Sequence, residues 1–410
     1  MESGEKKVAS VDNATPSPES YVESGDTSAA GALVGAYQSK AEARPRDWGS
    51  LRRWLAVDIG TWGSRIASPL GALTVAALLI VGVGGYALGS SMIGTSSPGT
   101  PSATAPSGSG MNMGGTSAQA TTANVPNATQ SQGGQLATYV LDKDGAKHFT
   151  FTAKQVMWEP VKGKRVLAWT LDGTVPGPTI RVTAGDHLRI TINNHFPEGT
   201  SIHWHGLQVP SDQDGVPGIG QNPIPANQSY TYDFTVTDQD IGTHWYHSHY
   251  DDLTQVSGGL YGAFIIDPRP GSPQAAQAVH ADVEYTDFVS ELDGYFVISG
   301  KSFPDTAPIN VKQGQTVLIR LIGSGEMIHP MHLHGHTFTI VAEDGHTLAQ
   351  PIQKDTVALA PGETYDLLFT AWAPPGSIYP FHCHILSHLM NPGQKAGEMG
   401  GLVQLVEYAK

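Results

Sequence analysis

A repeat of short alternating segments constrains the fold of this chain more than any other feature. From Tyr139 onward, runs in which apolar and polar residues alternate are separated by turn signals, which is typical of β-strands. The segment "TIRVTAGDHLRITINN" (179–194) corresponds to "INVKQGQTVLIRLIG" (309–323), and "IPANQSYTYDF" (224–234) corresponds to "LAPGETYDLLF" (359–369). A repeat of about 130 residues predicts an all-β fold with two Greek-key β-sandwiches of one type. We assign the two sandwiches to residues 136–270 and 271–410.

Histidines occur in pairs at corresponding points of the two repeats. In a strand, residues i and i+2 face the same side about 6.5–7 Å apart, so each pair can present two imidazoles to one site. With 17 histidines in 410 residues, chance predicts on the order of one His-x-His motif, whereas the chain has five. The four motifs that match between the repeats indicate a metal site: they are His203-x-His205, His247-x-His249, His332-x-His334 and His382-x-His384. The fifth is His334-x-His336.

The single cysteine, Cys383, lies between two of these histidines in "YPFHCHILSH" (379–388). One cysteine cannot form an intrachain disulfide. Structural zinc sites use several cysteines, and catalytic zinc needs only three protein ligands. On a strand, Cys383 faces one side while His382 and His384 face the other, so one strand can serve two sites. Cys383 with His388 and an upstream histidine forms the His₂Cys set of a blue-copper electron-transfer centre, joined through covalent bonds to a multi-histidine cluster.

The charge of the chain excludes one class of partner. The chain has 37 acidic and 23 basic side chains, for a net charge of −14. Such a surface repels the phosphate backbone, so we exclude nucleic acid as a partner.

An apolar segment at residues 66–94 predicts a membrane anchor. It contains more than about twenty consecutive apolar or small residues, enough to span roughly 30 Å of hydrocarbon as a helix. Five arginines precede it and no basic residue follows before Lys143. We therefore expect a single-pass protein of the cell membrane, with a cytoplasmic N-terminus and extracellular sandwiches. Secretion after signal cleavage is the alternative, because Ala87-Leu88-Gly89 offers a cleavage point and "RRWL" (52–55) resembles a twin-arginine signal.

Two polar segments flank the predicted anchor. Residues 1–65 form a cytoplasmic segment that is disordered at first and basic near the membrane. Residues 95–135 consist of small and polar residues and predict a flexible linker. Met111 and Met113 lie in this linker, and a copper role for their thioethers stays open, because two soft ligands make a weak site.

The histidine and cysteine motifs resemble those of the multicopper oxidases, the group of laccases, ascorbate oxidase and ceruloplasmin. The resemblance covers about residues 158–408 and includes "HWHG", "WYHSH", "HPMHLHGH" and "HCHILSH" in that order. It implies two cupredoxin-like domains, as in the two-domain laccase-like branch, with a type 1 copper only in the second domain. The resemblance also implies four coppers per chain: one type 1, one type 2 and two type 3.

The ligand sets follow from the family motifs, residue by residue. The type 1 ligands would be His329, Cys383 and His388. The type 2 copper would take His203 and His332. The type 3 pair would take the remaining members of the matched motifs, namely His205, His247, His249, His334, His382 and His384. Electrons would pass from the type 1 centre through Cys383 to His382 and His384.

Two further residues have open roles. Asp214 matches the acidic residue that relays protons beside the cluster in this family, but it also precedes Gly215 in an Asp-Gly turn signal. The family's axial position, ten residues after the cysteine, is Gly393. With about six inserted residues in the turn, Met399 becomes the axial thioether that we favour, while Met390 or no axial ligand are the alternatives.

The resemblance implies an oxidase that couples one-electron oxidation of a substrate to four-electron reduction of dioxygen to water. Phenols and aromatic amines remain open as reductants, and so do Cu(I), Fe(II) and Mn(II), the last three as in a metal oxidase for copper tolerance. A copper nitrite reductase-like enzyme and a copper electron-transfer module are the rival classes. With only two domains, the family solution is a head-to-tail homotrimer, in which the first domain of one chain meets the second domain of the next.

Overall fold

The computed structural model describes residues 124–395 and 397–410. The predicted segments at 1–65 and 66–94, most of the linker, and both Met111 and Met113 lie outside these described residues. Within the described part of the chain, no helix has the length and apolar character needed to cross a membrane.

The regular secondary structure of the described residues is almost entirely β-strand. The first half contains β1 (Val140–Leu141), β2 (Lys147–Val161), β3 (Lys164–Leu171), β4 (Ile180–Thr183), β5 (His187–Asn194), β6 (Ile202–His205), β7 (Ser229–Thr235), β8 (Gly242–Ser248) and β9 (Tyr261–Asp267). The second half contains β10 (Val283–Leu292), β11 (Tyr295–Ile298), β12 (Ile309–Val311), β13 (Thr316–Gly323), β14 (His329–Leu333), β15 (Phe338–Glu343), β16 (His346–Lys354), β17 (Thr356–Leu359), β18 (Thr364–Thr370), β19 (Ile378–Cys383) and β20 (Val403–Tyr408). The helical segments of this region are α1 (Asp252–Gln255) and short 3-10 turns at Ala275–Gln277 and Leu386–Leu389.

Each half is a pair of sheets with the same strand order. In the first half, one sheet runs β1-β2-β5-β7 with β3 on β2, and the other runs β4-β9-β8-β6. In the second half, one sheet runs β11-β10-β13-β18-β15-β16 and the other β12-β20-β19-β14-β17. The parallel pairs also correspond, since β2 with β5 and β4 with β9 match β10 with β13 and β12 with β20. The predicted internal repeat is therefore a repeat of topology, to which the first half adds β1 and the second half adds β15 to β17.

Apolar residues fill the space between the two sheets of each half. In β5 the burial alternates strictly, which follows from the alternating sequence "HLRITINN". The first core contains Trp204, Tyr232 and Phe264, and the second contains Phe338, Phe381 and Cys383. Burial of these side chains is the main stabilising contribution, at about 25 cal/mol for each Å² of apolar surface removed from water.

A third core joins the two halves. Trp158 and Trp245 of the first half pack there with Phe288 and Ile322 of the second half. The indole N–H of Trp158 donates a hydrogen bond to the carbonyl oxygen of Gly300 at 2.6 Å. This apolar contact fixes the two halves of one chain relative to each other.

A buried polar cluster also joins the halves. Arg320 donates to the Asp366 carboxylate at 3.0 Å and to the Thr243 hydroxyl at 2.6 Å, and that hydroxyl donates to Asp366 at 2.7 Å. Burial raises the pKa of Asp366, and the charge of Arg320 opposes that rise. Because Thr243 belongs to the first half and its partners to the second, this cluster makes the orientation of the halves specific.

Candidate metal centres

Three side chains predicted to bind the type 1 copper meet inside the second sandwich. His329 lies on β14, Cys383 ends β19, and His388 lies in the following 3-10 turn. The Cys383 sulfur is 3.9 Å from Nδ1 of His329 and 3.6 Å from Nδ1 of His388, and the two Nδ1 atoms are 3.1 Å apart. All three residues are buried, with 1 %, 0 % and 6 % of their surface exposed. A sulfur and two imidazole nitrogens thus converge on one point.

Burial favours the protonated, neutral form of the Cys383 thiol. It raises the pKa of Cys383, although the backbone N–H of Ile385 donates toward the sulfur at 3.4 Å and opposes the rise. A cation is what makes such a thiol ionise, because a coordinating thiol is deprotonated outright.

Glu291 and Phe296 are two contacts of this centre that the sequence analysis missed. His329 Nε2, on the side of the ring away from the sulfur, donates to the Glu291 carboxylate at 2.8 Å. The ring of Phe296 stacks on His388 with centroids 4.1 Å apart. Burial alone would raise the pKa of Glu291, but the hydrogen bonds from His329 and from the backbone N–H of Glu326 outweigh it and lower the pKa. No motif marks either residue, because both lie on the sheet opposite the one that carries His329 and Cys383.

The loop after His388 carries the candidate axial residue, Met399. Its side chain is 51 % exposed, unlike the three buried ligands. The next residue, Gly400, donates its backbone N–H to the carbonyl oxygen of Leu389 at 2.9 Å, which ties this loop to the ligand-bearing turn. The axial assignment stays a prediction, as does the alternative, Met390.

We expect Met399→Leu to raise the type 1 reduction potential moderately, because a thioether stabilises the oxidised copper and a hydrocarbon does not. Potentiometric titration of the blue band measures the shift. The matched variant is Met390→Leu, and a shift seen only with Met390→Leu would transfer the axial role to that residue.

The four histidines of the two matched motifs in the first half form one group, the first quartet: His203, His205, His247 and His249. The antiparallel pairing of β6 and β8 places His203 directly opposite His247. Ring centroids of neighbouring members are 5.3–6.2 Å apart. His205 Nδ1 lies 3.3 Å from His247 Nε2, and three of the four histidines offer nitrogens close enough for one metal ion.

The second half repeats this arrangement in the second quartet: His332, His334, His382 and His384. His332 lies directly opposite His382 in the pairing of β14 with β19. Ring centroids of neighbouring members are 4.9–5.9 Å apart, and His334 Nε2 is 2.9 Å from His382 Nε2. The two quartets are thus built on corresponding strands of the repeat.

Backbone carbonyls orient four of these imidazoles in the same way. His203 and His247 donate from Nδ1 to the carbonyl oxygens of Asp214 and Ser248 at 2.8 and 2.7 Å. His332 donates likewise to Asp355 and His382 to Cys383, both at 2.8 Å. Because a carbonyl oxygen only accepts, Nδ1 carries the hydrogen and Nε2 is left with a free electron pair for a metal.

Burial keeps several of these rings neutral. Burial, together with the nearby His203, lowers the pKa of His205 to about 4. Burial also lowers the pKa of His247 to about 3, against a backbone hydrogen bond to Ser248 that raises it. In the second quartet, burial and the neighbouring His382 lower the pKa of His334. Neutral imidazole is the form that binds metal ions.

The two quartets do not meet within one chain. Among residues 124–395 and 397–410, every close ring pair of these histidines lies within a quartet, and none joins one quartet to the other. The predicted type 2 ligands, His203 and His332, therefore belong to separate groups in the single chain. The structure brings together each half of the predicted cluster and not the whole.

Asp214 lies where both of its predicted roles require it. It precedes Gly215, whose φ of +85° lies in the left-handed region that a tight turn needs. Its carboxylate oxygen is also 3.3 Å from Nδ1 of His203, so the side chain borders the first quartet. The geometry fits a turn residue and a proton donor equally, and the proton role stays a prediction.

Comparison with known proteins identifies the family. A family profile described as Multicopper oxidase matches residues 152–271, and a second with the same description matches residues 270–392. Laccase-20 of Oryza sativa subsp. japonica is 35% identical over 253 residues, which is 55% of this chain and 42% of the rice protein. Two solved structures are similar over 64% of this chain. The blue copper oxidase from Nitrosomonas europaea has 31% identity, a TM-score of 0.58 and 85% coverage of its chain. The multicopper oxidase mgLAC has 34% identity, a TM-score of 0.59 and 86% coverage.

The two sandwiches thus define a cupredoxin-like fold that carries one His–Cys set and two histidine quartets. The chain belongs to the multicopper oxidase family. It spans less than half the length of the plant laccases that it matches, 42% in the case of Laccase-20.

The residues present fit copper. A thiol and two imidazoles suit copper, and eight further imidazoles on two groups of strands exceed what one zinc site can use. The Nδ1–carbonyl hydrogen bonds leave Nε2 free in both quartets, as metal ligation requires.

Proposed function

We propose that the protein is a laccase-like oxidase that couples one-electron oxidation of a small reductant to four-electron reduction of dioxygen to water. The observation that carries the proposal is that two adjacent residues of β19 belong to different groups: Cys383 lies with His329 and His388, and His382 lies with the second quartet. The proposed type 1 centre and the second quartet are thereby joined through the peptide bond between His382 and Cys383.

Copper, when bound, supplies the one-electron chemistry at the Cys383 centre and the reduction of dioxygen at the histidine quartets. The proposed complement is four ions per chain: one type 1, one type 2 and two type 3. The chain contributes neutral imidazoles with fixed orientation, a buried thiol between two histidines, and the Asp214 carboxylate beside His203. In this proposal Asp214 passes protons from solvent to the site where water forms.

Glu291 places a carboxylate beside the type 1 centre, where it can act on either class of reductant. Its carboxylate accepts the hydrogen bond of His329 Nε2, on the face of the ring that points away from the sulfur. A carboxylate beside His329 attracts positively charged electron donors. It can also accept the proton that a phenol loses on oxidation. Phenolic or aromatic reductants are our first choice, and Cu(I), Fe(II) or Mn(II) our alternative.

We expect Glu291→Gln to raise the type 1 potential by roughly 60 mV, the equivalent of a tenfold change for a one-electron centre. Removing a negative charge beside a ligand destabilises the more positive, oxidised state. Glutamine still accepts the hydrogen bond, so the charge alone changes. Potentiometry measures the shift, and Glu326→Gln, whose carboxylate accepts from Ser257 instead, is the matched control. An equal shift in both variants would remove the specific role of Glu291.

Two other functions compete. A copper electron-transfer module needs the His329–Cys383–His388 set alone, and the two quartets argue against it. A two-domain nitrite reductase resembles this chain less well, because that family keeps its type 1 cysteine in the first domain.

Assembly follows from the separation of the quartets. We propose a head-to-tail homotrimer in which the first quartet of one chain faces the second quartet of the next. Such a heterologous contact closes into a ring. This arrangement would complete a type 2 site from His203 and His332 and a type 3 site from the other six histidines.

We further propose that residues 66–94 tether the protein to the cell membrane, with the oxidase outside. The support is the length of the apolar segment and the arginines before it. The N-terminal residue of the mature protein distinguishes the anchor from a cleaved signal.

The decisive experiment is a copper count with an absorption spectrum, followed by oxygen uptake. We expect four coppers per chain, a blue band, and oxygen uptake with a phenol and without nitrite. Running the same assay with each metal ion identifies the reductant class. A blue protein with one copper per chain and no oxygen uptake would instead be an electron carrier.

A further inference from the structure

The fifth His-x-His motif contributes a histidine, His336, that belongs to none of the copper sets. Its ring is buried, with 5 % exposed. Nδ1 is 2.8 Å from the carbonyl oxygen of His334, and Nε2 is 2.6 Å from the hydroxyl of Tyr408. The carbonyl can only accept, so Nδ1 donates to it, and Nε2 therefore accepts from the Tyr408 hydroxyl. Both ring nitrogens are occupied by structural bonds.

A second side chain holds the same turn. The indole N–H of Trp372 donates to the carbonyl oxygen of Gly335 at 2.8 Å. Gly335 has a φ of +67°, and a Cβ at this position would lie 2.5 Å from the ring of Tyr379. Two consecutive carbonyls, those of His334 and Gly335, are thus held by side chains. We call Trp372, His336 and Tyr408 the clamp.

The first half has no counterpart of the clamp. Its motif reads "HWHGL" where the second half reads "HLHGH", so Leu207 stands where His336 would be. There the turn is held in a different way: Leu207 N–H donates to the Trp204 carbonyl at 3.2 Å, and Gln208 N–H donates to the Asp240 carboxylate at 2.7 Å. The clamp is therefore a feature of the second quartet alone.

We propose that the clamp positions His334 for metal binding; this rests on the proposed role of His334 as a copper ligand. His334 follows the last residue of β14, where the backbone ladder ends with one bond from its N–H to the Pro380 carbonyl at 3.0 Å. Its Nε2 lies 2.9 Å from that of His382, a separation at which both nitrogens can reach one ion. The clamp holds the carbonyl groups of His334 and Gly335, on the C-terminal side of the ligand. It thereby limits the orientations that the His334 ring can adopt.

The test compares copper affinity in the full chain, by competition with a chelator, for clamp variants and a control. His336→Leu installs the residue of the first half, and Tyr408→Phe and Trp372→Phe each remove one donor. We expect 10- to 100-fold weaker binding of the cluster copper in His336→Leu, as for other partners of metal ligands, with the blue band unchanged.

His336→Asn, whose amide N–H can still reach the His334 carbonyl, should recover part of the loss. Tyr379→Phe is the matched control, because its ring contacts His336 but no hydrogen bond of its hydroxyl is found in the described region.

Several results would overturn the proposal. One is unchanged cluster affinity in His336→Leu, and another is a loss no greater than that of Tyr379→Phe. A clamp variant could also lose cluster copper and blue copper equally and melt at a lower temperature without copper. That result would show that the clamp stabilises the fold and does not position His334. A wild-type protein that binds cluster copper but consumes no oxygen would refute the oxidase function, while the affinity comparison still decides the clamp.

Discussion

A chain with Cys383→Ser is expected to be colourless and to consume oxygen only at the background rate. The sulfur lies 3.6 and 3.9 Å from the two imidazole nitrogens, and a hydroxyl is a poor substitute for thiolate as a copper ligand. Serine is close in size and can accept the Ile385 N–H that now points to the sulfur, so the fold should persist. The absorption spectrum, a copper count and oxygen uptake measure the effect, and one copper per chain should be lost while the cluster copper stays.

The control for packing is Met331→Leu. Met331 is fully buried and lies directly opposite Cys383 in the pairing of β14 with β19. Exchange of methionine and leucine in a core costs less than about 1.5 kcal/mol, so this variant should stay blue and active. A blue band that survived in Cys383→Ser would mean that the type 1 assignment is wrong.

The second large effect concerns assembly. A His203→Ala chain and a His382→Ala chain should each be inactive, and mixed trimers of the two should regain activity. In a head-to-tail ring, the first quartet of one chain can meet the second quartet of the other variant with both undamaged. Random mixing in equal amounts makes about one quarter of the contacts intact. Oxygen uptake after co-expression, or after joint unfolding and refolding, should therefore approach that share of the wild-type rate.

The matched control is a mixture of His203→Ala with His247→Ala. Both substitutions damage the first quartet, so no contact in the ring can be intact and no activity should return. A full rate from isolated monomers, or the same null result in both mixtures, would place the complete cluster within one chain.

Much of the fold follows from the sequence, because the period of two in a strand determines which side chains share a face. The repeat of topology, the histidine pairs opposite each other in β6 with β8 and in β14 with β19, and the central place of Cys383 all rest on that period. The family motifs then identify His329 and His388 as its companions, and the structure brings the three together.

The rest depends on contacts between elements that the sequence does not relate. Glu291 lies 38 residues before His329, in a different sheet, and only the packing of the two sheets brings its carboxylate to Nε2. Likewise, Tyr408 reaches His336 across 72 residues. The half-exposed position of Met399 depends on the conformation of an irregular loop, for which no periodic pattern exists. Segment 66–94 lies outside the described residues, so the anchor stays a prediction.

The pairing of β14 with β19 would make the expected blue colour a measure of correct folding. In β14, His329, Met331 and Leu333 are buried while Pro330 and His332 are less so. Slipping a strand by one residue exchanges its two faces, which would turn the thiol outward and the quartet histidine into the core. Such a misfolded sandwich could keep its strand content and circular dichroism but would not form the His₂Cys centre. During refolding with copper present, the blue band should therefore appear only after strand register is established, at a rate that reports this late step of folding.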